Sequence, residues 1–562
     1  MPLSLHLQQI QSLVKQNLAT APLVDRVCDR GFTAPKIKYT QRIYTMSEQE
    51  LKLHVPRASR ASVERAMRRG AIKQVQLRAR YYDTPNRDLV KAGIALRVRQ
   101  EGRKWVQTIK MPGAHALERE EFNHPLTGRD LDLTVYADLP IYKKLCKFQD
   151  QLGVRYETNV RRMYRNVRSA AGLVEVSYDL GKIIAGEISL PVSEIEFERV
   201  SGQLQAVFLL GLKWQAAHGL LLDLRSKAER GDRLAGLADK LAALGELDDA
   251  AASAERVRAV RAFWAPQPIE PVKLKASMTC AQALGTVMQA CLEQIARNSA
   301  VLAEVDTAGI CLTATPEHTH QLRVGMRRLR SAWSMFEPLA SLPPLIWRDE
   351  IKDHFAGLGS ARDDDVLRDT VLPVLNAAGQ PPVELVAQVA DDAAPSVARS
   401  KQFQAWQIEL LAWAVNAHPI QTPTVGSMEF THGHSRALRG ALRERLQKWH
   451  KRVLQDGLKF DSLEIEAKHE LRKRAKRLRY GLQFAESLLQ ARKLARYRKQ
   501  LSRIQDILGE MNDLYVAREK FELIRETQPG AWFAVGWIAS RLDALTKEAK
   551  DAFMTLRTTE HF

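Results

Sequence analysis

The sequence predicts an α+β protein: an antiparallel β-structure with flanking helices, followed by an all-helical half built by internal duplication. Three observations carry this. Residues 46–234 hold short segments of alternating polarity, among them QELKLHV (49–55), ALRVRQE (95–101), WVQTIKM (105–111), REEFNHP (119–125), LVEVSYDL (173–180) and SEIEFERV (193–200). From about Lys275 the period changes to that of long helices, with almost no strand candidates. Within that half HQLRVGMRRLRSAWSMF, from His320, is answered at one constant offset by HELRKRAKRLRYGLQFA, from His469.

A chain of 562 residues is too long for one core, so two or three domains are expected. Residues 1–45 read as an ill-assorted lead-in, and Met46 is the expected start of the fold. The domain with the alternating segments is placed at 46–234. Helices are expected within it at SRASVERAMRRG (59–70) and around Leu204–Leu212. A linker is placed at 235–274, where APQPIEPV (265–272) carries three prolines, and the helical domain at 275–560, with repeats at about 275–420 and 430–560. LGSARDDDV (358–366) and LGEMNDLYV (508–516) continue the duplication one residue out of step.

The chain carries 84 Lys and Arg against 65 Asp and Glu, a net charge of +19. Such a surplus points to a polyanionic partner: nucleic acid, an anionic membrane or polyphosphate. No apolar run approaches the roughly 20 residues of a membrane span. The N-terminus lacks the basic stretch and unbroken apolar run of a secretory signal. Cys28, Cys146, Cys280, Cys291 and Cys311 are scattered with no CxxC pair, which suits a reducing cytoplasm and argues against a disulfide framework or structural zinc site.

The strands have an unusual polar face. In SEQELKLHV, Glu48, Glu50, Lys52 and His54 alternate with Leu51, Leu53 and Val55. In SEIEFERV, Glu194, Glu196 and Glu198 share one face and Ile195 and Phe197 the other. Arg97 and Arg99 alternate with Leu96 and Val98, Lys110 follows Thr108 in step, Arg119 is in phase with Glu121, and Asp179 with Glu175. A solvated sheet face would give such a pattern, with more Thr, Ser and Gln; so would a barrel turned inside out, with charges in the lumen and apolar outer faces under helices. Clustered carboxylates suit a hard divalent cation, and interleaved Arg and Lys suit phosphate oxygens.

The ordered set ExExK (Glu48, Glu50, Lys52), YYDT (81–84), LRVR (96–99), TIK (108–110), EIEFE (194–198) and SKAERG (226–231) resembles the CYTH family, the triphosphate tunnel metalloenzymes. The resemblance covers about 46–234 and implies a closed antiparallel β-tunnel. It implies that Glu48, Glu50, Glu194, Glu196, Glu198 and Asp179 hold Mg²⁺ or Mn²⁺. It gives Lys52, Arg97, Arg99 and Lys110 catalytic contacts with phosphate, and Arg119 and Lys227 substrate binding. One lumenal arginine is also implied in TNVRRMYR (158–165); periodicity does not choose between Arg161 and Arg162, and Arg162 is carried forward. The implied reaction is metal-dependent hydrolysis of a triphosphate, with water attacking in line.

In the helical half His320, Arg323, Arg327 and Arg330 fall within an arc of about 80°, opposite Leu322, Met326, Leu329, Trp333 and Phe336. His469, Arg472, Lys476 and Arg479 repeat this. Residues 468–479 hold seven Lys or Arg against one Glu, too few acid partners to relieve the repulsion. Basic neighbours oppose a cation at the histidines, so a polyanion is the better ligand. HQLRVGMRRLR, ARDDDV (361–366), HELRKRAKRLRY and NDLYV resemble the CHAD domain, a histidine-containing helical domain associated with inorganic polyphosphate. In the second repeat Asn512 replaces Arg362 and Tyr515 replaces Asp365, which weakens the acidic motif.

Together the resemblances imply inorganic triphosphate as substrate, polyphosphate as partner, no specific nucleic acid, and a cytoplasmic location with association to polyphosphate granules. Hydrolysis or cyclisation of ATP or thiamine triphosphate, non-catalytic polyphosphate binding, and nucleic-acid binding are the rival readings. The first lacks an evident base pocket, the second leaves the full charged set unexplained, and the third has no recognition motif.

Overall fold

The computed structural model describes residues 44–113, 117–245, 250–305, 314–358, 367–384, 393–416 and 438–562. The lead-in 1–43 and the ARDDDV motif lie outside the described residues. Described residues from Tyr44 onward form one compact unit.

Eight antiparallel strands make the first part: β1 (Tyr44–His54), β2 (Lys73–Asp83), β3 (Ala95–Glu101), β4 (Lys104–Pro112), β5 (Glu118–Leu126), β6 (Gly153–Ser169), β7 (Gly172–Ala185) and β8 (Ile188–Gly202). The order β5-β4-β3-β2-β6-β7-β8-β1 closes on itself through β1–β5 pairing, so these eight strands form a barrel, with the two-residue β9 (Leu221–Leu222) on β1. The six segments read as strands lie in strands, save Val55 just past the end of β1; β2 and β6 are not among them. β1 begins two residues before Met46, with Tyr44 opposite Asn123 and Thr45 opposite Phe122.

The barrel is inside out. Leu51, Leu53, Ile195 and Phe197 are fully buried on its outer face. There the Gln205–His218 helix covers them, approaching so closely that a Cβ on Gly211 would lie 2.5 Å from Leu51 Cδ2. This layer belongs to one apolar core that continues into the helical half.

Helices Cys280–Leu302, Pro316–Phe336, Lys401–Asn416, Ile465–Ala485, Ala491–Ile524 and Ala531–Thr558 dominate that half. Thr279 caps the first of these in a reciprocal capping box with Gln282. Leu322, Met326, Leu329, Trp333 and Phe336 are buried, as the period predicts. The two repeat helices Pro316–Phe336 and Ile465–Ala485 pack directly on each other. Arg328 of the first reaches Gln483 Oε1 at 2.8 Å and lies over the Tyr480 and Phe484 rings.

The stretch expected as linker is more structured than its prolines imply. Helix Lys227–Ala243 runs through its start and Ala250–Ala262 forms a further helix. Phe263 and Trp264, at the end of that helix, bury their rings with Leu234. Burial of these apolar residues outweighs the local preference of the chain for turns.

Candidate functional site

Register places the charged faces inside the barrel. Glu50, Lys52 and His54 of β1 lie opposite Glu198, Glu196 and Glu194 of β8. On the other side of β8, Glu194, Glu196 and Glu198 lie opposite Asp179, Ser177 and Glu175 of β7. Asp179 lies opposite Arg162 of β6, and Glu48 opposite Arg119 of β5. Arg97 of β3 sits opposite Tyr81 of β2, while Lys110 of β4 faces Glu121 of β5. Because side chains alternate strictly, pairing in this register brings all these groups to one surface.

Deeper along the same faces the charges give way to Val160, Ile183, Leu190 and Val192, which pack with Leu234, Ala235 and Leu237 of the Lys227–Ala243 helix. That helix closes one end of the barrel and delivers its first turn to the carboxylates. Ser226 caps it, accepting from the Glu229 amide at 3.1 Å.

The centre is a lattice of ion pairs. Arg162 forks onto Asp179, with Nε–Oδ1 and Nη2–Oδ2 both 2.7 Å, and its Nη2 reaches Glu196 Oε2 at 2.5 Å. Lys227 Nζ lies 2.8 Å from Asp179 Oδ2 and 2.7 Å from Glu196 Oε1, and also pairs with Glu194. Arg230 pairs with Glu194. Lys52 donates to the Arg225 carbonyl and lies 3.8 Å from Glu194 Oε2. Nearer the open end, Lys110 Nζ is 2.7 Å from Glu48 Oε2 and pairs with Glu121. Arg97 Nη1 donates to the Tyr81 hydroxyl at 3.3 Å, while its buried Nε finds no acceptor among the described residues. Arg99 turns to Glu101 (Nε–Oε1 2.7 Å), and Arg119 donates to the Glu118 carbonyl at 2.8 Å. Arg161 points outward, 3.6 Å from Glu64, so the lumenal arginine of this pair is Arg162.

The carboxyls divide by their neighbours. Burial opposes charge on Asp179, Glu194 and Glu196, but Arg162 and Lys227 hold Asp179 and Glu196 below the usual range, and Arg230 and Lys227 do so for Glu194. Glu48 is likewise lowered against its burial by Lys110, Arg97 and Arg162. Glu50 is pushed up to about 8 by burial and by Glu196 and Glu48. Glu198 is raised to about 7 by burial and by Glu48 and Glu175. Among the cations, burial lowers Lys52, and lowers Arg99 to about 10 with the help of Arg97. Lys227 and Arg162 rise despite burial because acids surround them.

A divalent cation fits this donor set. Asp179, Glu194 and Glu196 each bring an oxygen within 4.8 Å of the others, and hard cations take carboxylate oxygens. Glu50 and Glu198 crowd the same face without enough positive charge to keep them in the usual carboxylate range. An added cation relieves that crowding.

Sequence reasoning missed four contributors. Arg230 lies in the quoted SKAERG and follows Lys227 by one helical turn, which was its signal. Glu121 was legible only as the in-phase neighbour of Arg119. Tyr81 opens the quoted YYDT, though its hydroxyl's partner Arg97 was not legible there, and Arg225 gave no signal, because its backbone carbonyl becomes a partner only through the fold.

In the helical half the predicted basic residues occupy different settings. Arg323 donates to the Leu358 carbonyl at 3.0 Å and lies 4.5 Å over the Phe355 ring, which Arg327 approaches at 5.5 Å. Arg330 and Arg479 are exposed, and Arg479 Nη1 donates to Gln505 Oε1 at 2.9 Å. His320, Arg472 and Lys476 are half-buried, and His469 lies 5.8 Å from the Tyr515 ring. Acids partly relieve that repulsion: Lys473 pairs with Glu470 at i,i+3, and Arg474 with Asp456 of another helix.

Fold and lining define the class: a closed β-tunnel domain with a charged lumen, joined to a helical domain built around two packed basic helices. Residues 46–231 match the CYTH domain model and residues 286–522 the CHAD domain model, so the chain is a CYTH domain followed by a CHAD domain. It is 32% identical over 163 residues to a protein of Haemophilus influenzae described as an inorganic triphosphatase, a match spanning 27% of this chain and 44% of that protein. The chain thus aligns with less than half the length of that relative. Among solved structures, the CHAD domain of the plant Ricinus communis is 28% identical, covering 52% of this chain and 97% of its own, with a TM-score of 0.42. A Hippeastrum protein described by its dominant triphosphatase activity is 18% identical, covering 32% of this chain and 93% of its own, with a TM-score of 0.26. Among the described residues no helix is long and apolar enough to cross a membrane.

Proposed function

We propose that the tunnel hydrolyses inorganic triphosphate with Mg²⁺ or Mn²⁺ and that the helical domain binds inorganic polyphosphate. The observation that carries the reading is the lumen itself, where rows of carboxylates and cations face one another across one barrel interior. A polyphosphate chain needs cations along its oxygens, and a metal ion needs carboxylates opposite them. The Haemophilus relative, described as an inorganic triphosphatase, supports the same substrate.

In this reading Glu48, Glu50, Glu194, Glu196, Glu198 and Asp179 hold the metal, which orients phosphate and activates water when bound. Arg97, with its unpaired Nε, binds phosphate from the wall, together with Lys110, Arg99 and Arg119. Arg162 and Lys227 bridge carboxylates and substrate, holding the acids in place until phosphate competes for them. Lys52, bound to the Arg225 carbonyl, contributes positive charge from below. His320, Arg323, Arg327, Arg330, His469, Arg472, Lys476 and Arg479 make the polyphosphate face.

The decisive experiment measures phosphate release from triphosphate, longer polyphosphate, ATP and thiamine triphosphate, each with Mg²⁺, Mn²⁺ or chelator. Metal-dependent release from triphosphate well above the others is expected. Preference for a nucleotide, or equal release in chelator, defeats the reading.

A further inference from the structure

One short segment carries the inner end of the tunnel. The Arg225 carbonyl accepts from Lys52, and Lys227 and Arg230 bind Glu194, Lys227 also reaching Asp179 and Glu196. From its other side the same segment is held by the helical domain. Arg297, on the Cys280–Leu302 helix, forks onto Glu229 with Nη1–Oε1 2.5 Å and Nη2–Oε2 3.0 Å. Arg297 is itself fixed by its Nε donating to Glu293 Oε1 at 2.9 Å. Arg225 Nη2 donates to the Val305 carbonyl at 3.3 Å, and its guanidinium lies 4.1 Å from the Trp264 ring centroid.

At about 100° per residue, Lys227, Arg230 and Leu234 fall within one arc of roughly 60°, while Glu229 and Arg233 lie on the other side of the helix. The turn is therefore gripped on both faces, by tunnel carboxylates on one and by Arg297 on the other. A helical turn is stiff, so a shift of Glu229 is passed to the ammonium of Lys227 two residues away.

We propose that Arg297, acting through Glu229, is a positioning residue for Lys227 and Arg230, so that the helical domain sets the tunnel's affinity for its phosphate ligand. The proposal rests on the tunnel being the phosphate site. A bidentate pair between two domains gives this geometric control, whereas a single flexible contact does not.

The test uses the full chain and the variants Arg297→Ala, Arg297→Lys, Glu229→Gln and the Arg297→Ala/Glu229→Gln pair. It reads KM and kcat for tripolyphosphate, tripolyphosphate binding by calorimetry, melting temperature and amide exchange at residues 226–231. Arg297→Ala and Glu229→Gln are each expected to raise KM about tenfold with kcat changed less than about threefold. The pair should be no worse than either alone, because the two residues act as one unit. Arg297→Lys should recover part of the loss, and exchange at 226–231 should quicken in Arg297→Ala while β7 and β8 stay protected. Unchanged KM or unchanged exchange in Arg297→Ala overturns the proposal, as do additive effects in the pair. A lowered melting temperature alone also overturns it, marking a contact that only docks the domains. If the natural chain hydrolyses no triphosphate, the functional reading fails, and exchange with tripolyphosphate binding then decides the clamp. Should Arg297→Ala fail to fold, the milder Glu229→Gln supplies the same readouts.

Discussion

Replacing Lys227 by Met would remove one ammonium from among three carboxylates while keeping a side chain of similar length. Asp179, Glu194 and Glu196 are 0%, 2% and 8% exposed, so water cannot take over the lost contacts at 2.7–2.8 Å. Arg162 and Arg230 remain in direct contact, with Lys52 3.8 Å from Glu194, so Asp179 and Glu196 lose their second cation. Breaking a buried pair by removing one partner costs about 3–5 kcal/mol. Melting temperatures of mid-sized domains fall by about 2–4 °C per kcal/mol, so in chelator a drop on the order of 10 °C is expected. The same three oxygen donors, within 4.8 Å of one another, then have one cation fewer competing with a divalent ion. Saturation at a hundredfold over Kd returns about 2.7 kcal/mol. Mn²⁺ should therefore raise the melting temperature of the variant more than that of the natural protein, while triphosphate turnover stays lost. Calorimetric melts in chelator and in Mn²⁺ decide this. A variant that melts like the natural protein in chelator, or one wholly indifferent to Mn²⁺, refutes the account of the cluster.

Glu50→Gln should leave the melting temperature within a few degrees, since burial and its acidic neighbours already favour the neutral form, while turnover at limiting metal falls about a hundredfold; near-normal hydrolysis would place Glu50 outside the site. Glu409, buried on the Lys401–Asn416 helix and raised to about 7 by burial and by Glu350, binds its proton more tightly folded than unfolded. Its contribution is full below about pH 4.5 and is lost as pH rises towards 7, so Glu409→Gln should gain stability relative to the natural chain on going from pH 5 to 8, by up to about 3 kcal/mol. A pH-independent difference in denaturant melts would count against this. Replacing Arg327, Arg330, Lys476 and Arg479 with Gln should weaken polyphosphate binding by orders of magnitude and flatten its salt dependence, leaving triphosphate hydrolysis nearly intact; equal binding across a salt series would dismiss the basic face. Arg323 is spared in that variant because it holds the Leu358 carbonyl and stacks on Phe355, so its loss would also disturb packing.

The sequence by itself determined the strands with a charged face, the duplicated helices and the residue types of the site. A period of two and a period of 3.6 are local properties, and Glu48, Glu50 and Lys52, or Glu194, Glu196 and Glu198, show them within a few residues. Alternation leaves two meanings open, however: a wet outer face or a lined interior. Closure through β1 and β5 decided between them, because it put the charged faces in one lumen and buried Leu51 and Phe197 beneath a helix. The choice of Arg162 over Arg161 had the same origin, since register across three strands aims Arg162 at Asp179 and Arg161 at Glu64. Arg225, whose carbonyl meets Lys52 across 173 positions of chain, and Arg297, whose partner Glu229 is 68 positions away, left no local pattern. Periodicity reports what a segment shares with its own neighbours. Contacts between distant segments exist only after the barrel has closed and the helical domain has packed against its capping helix.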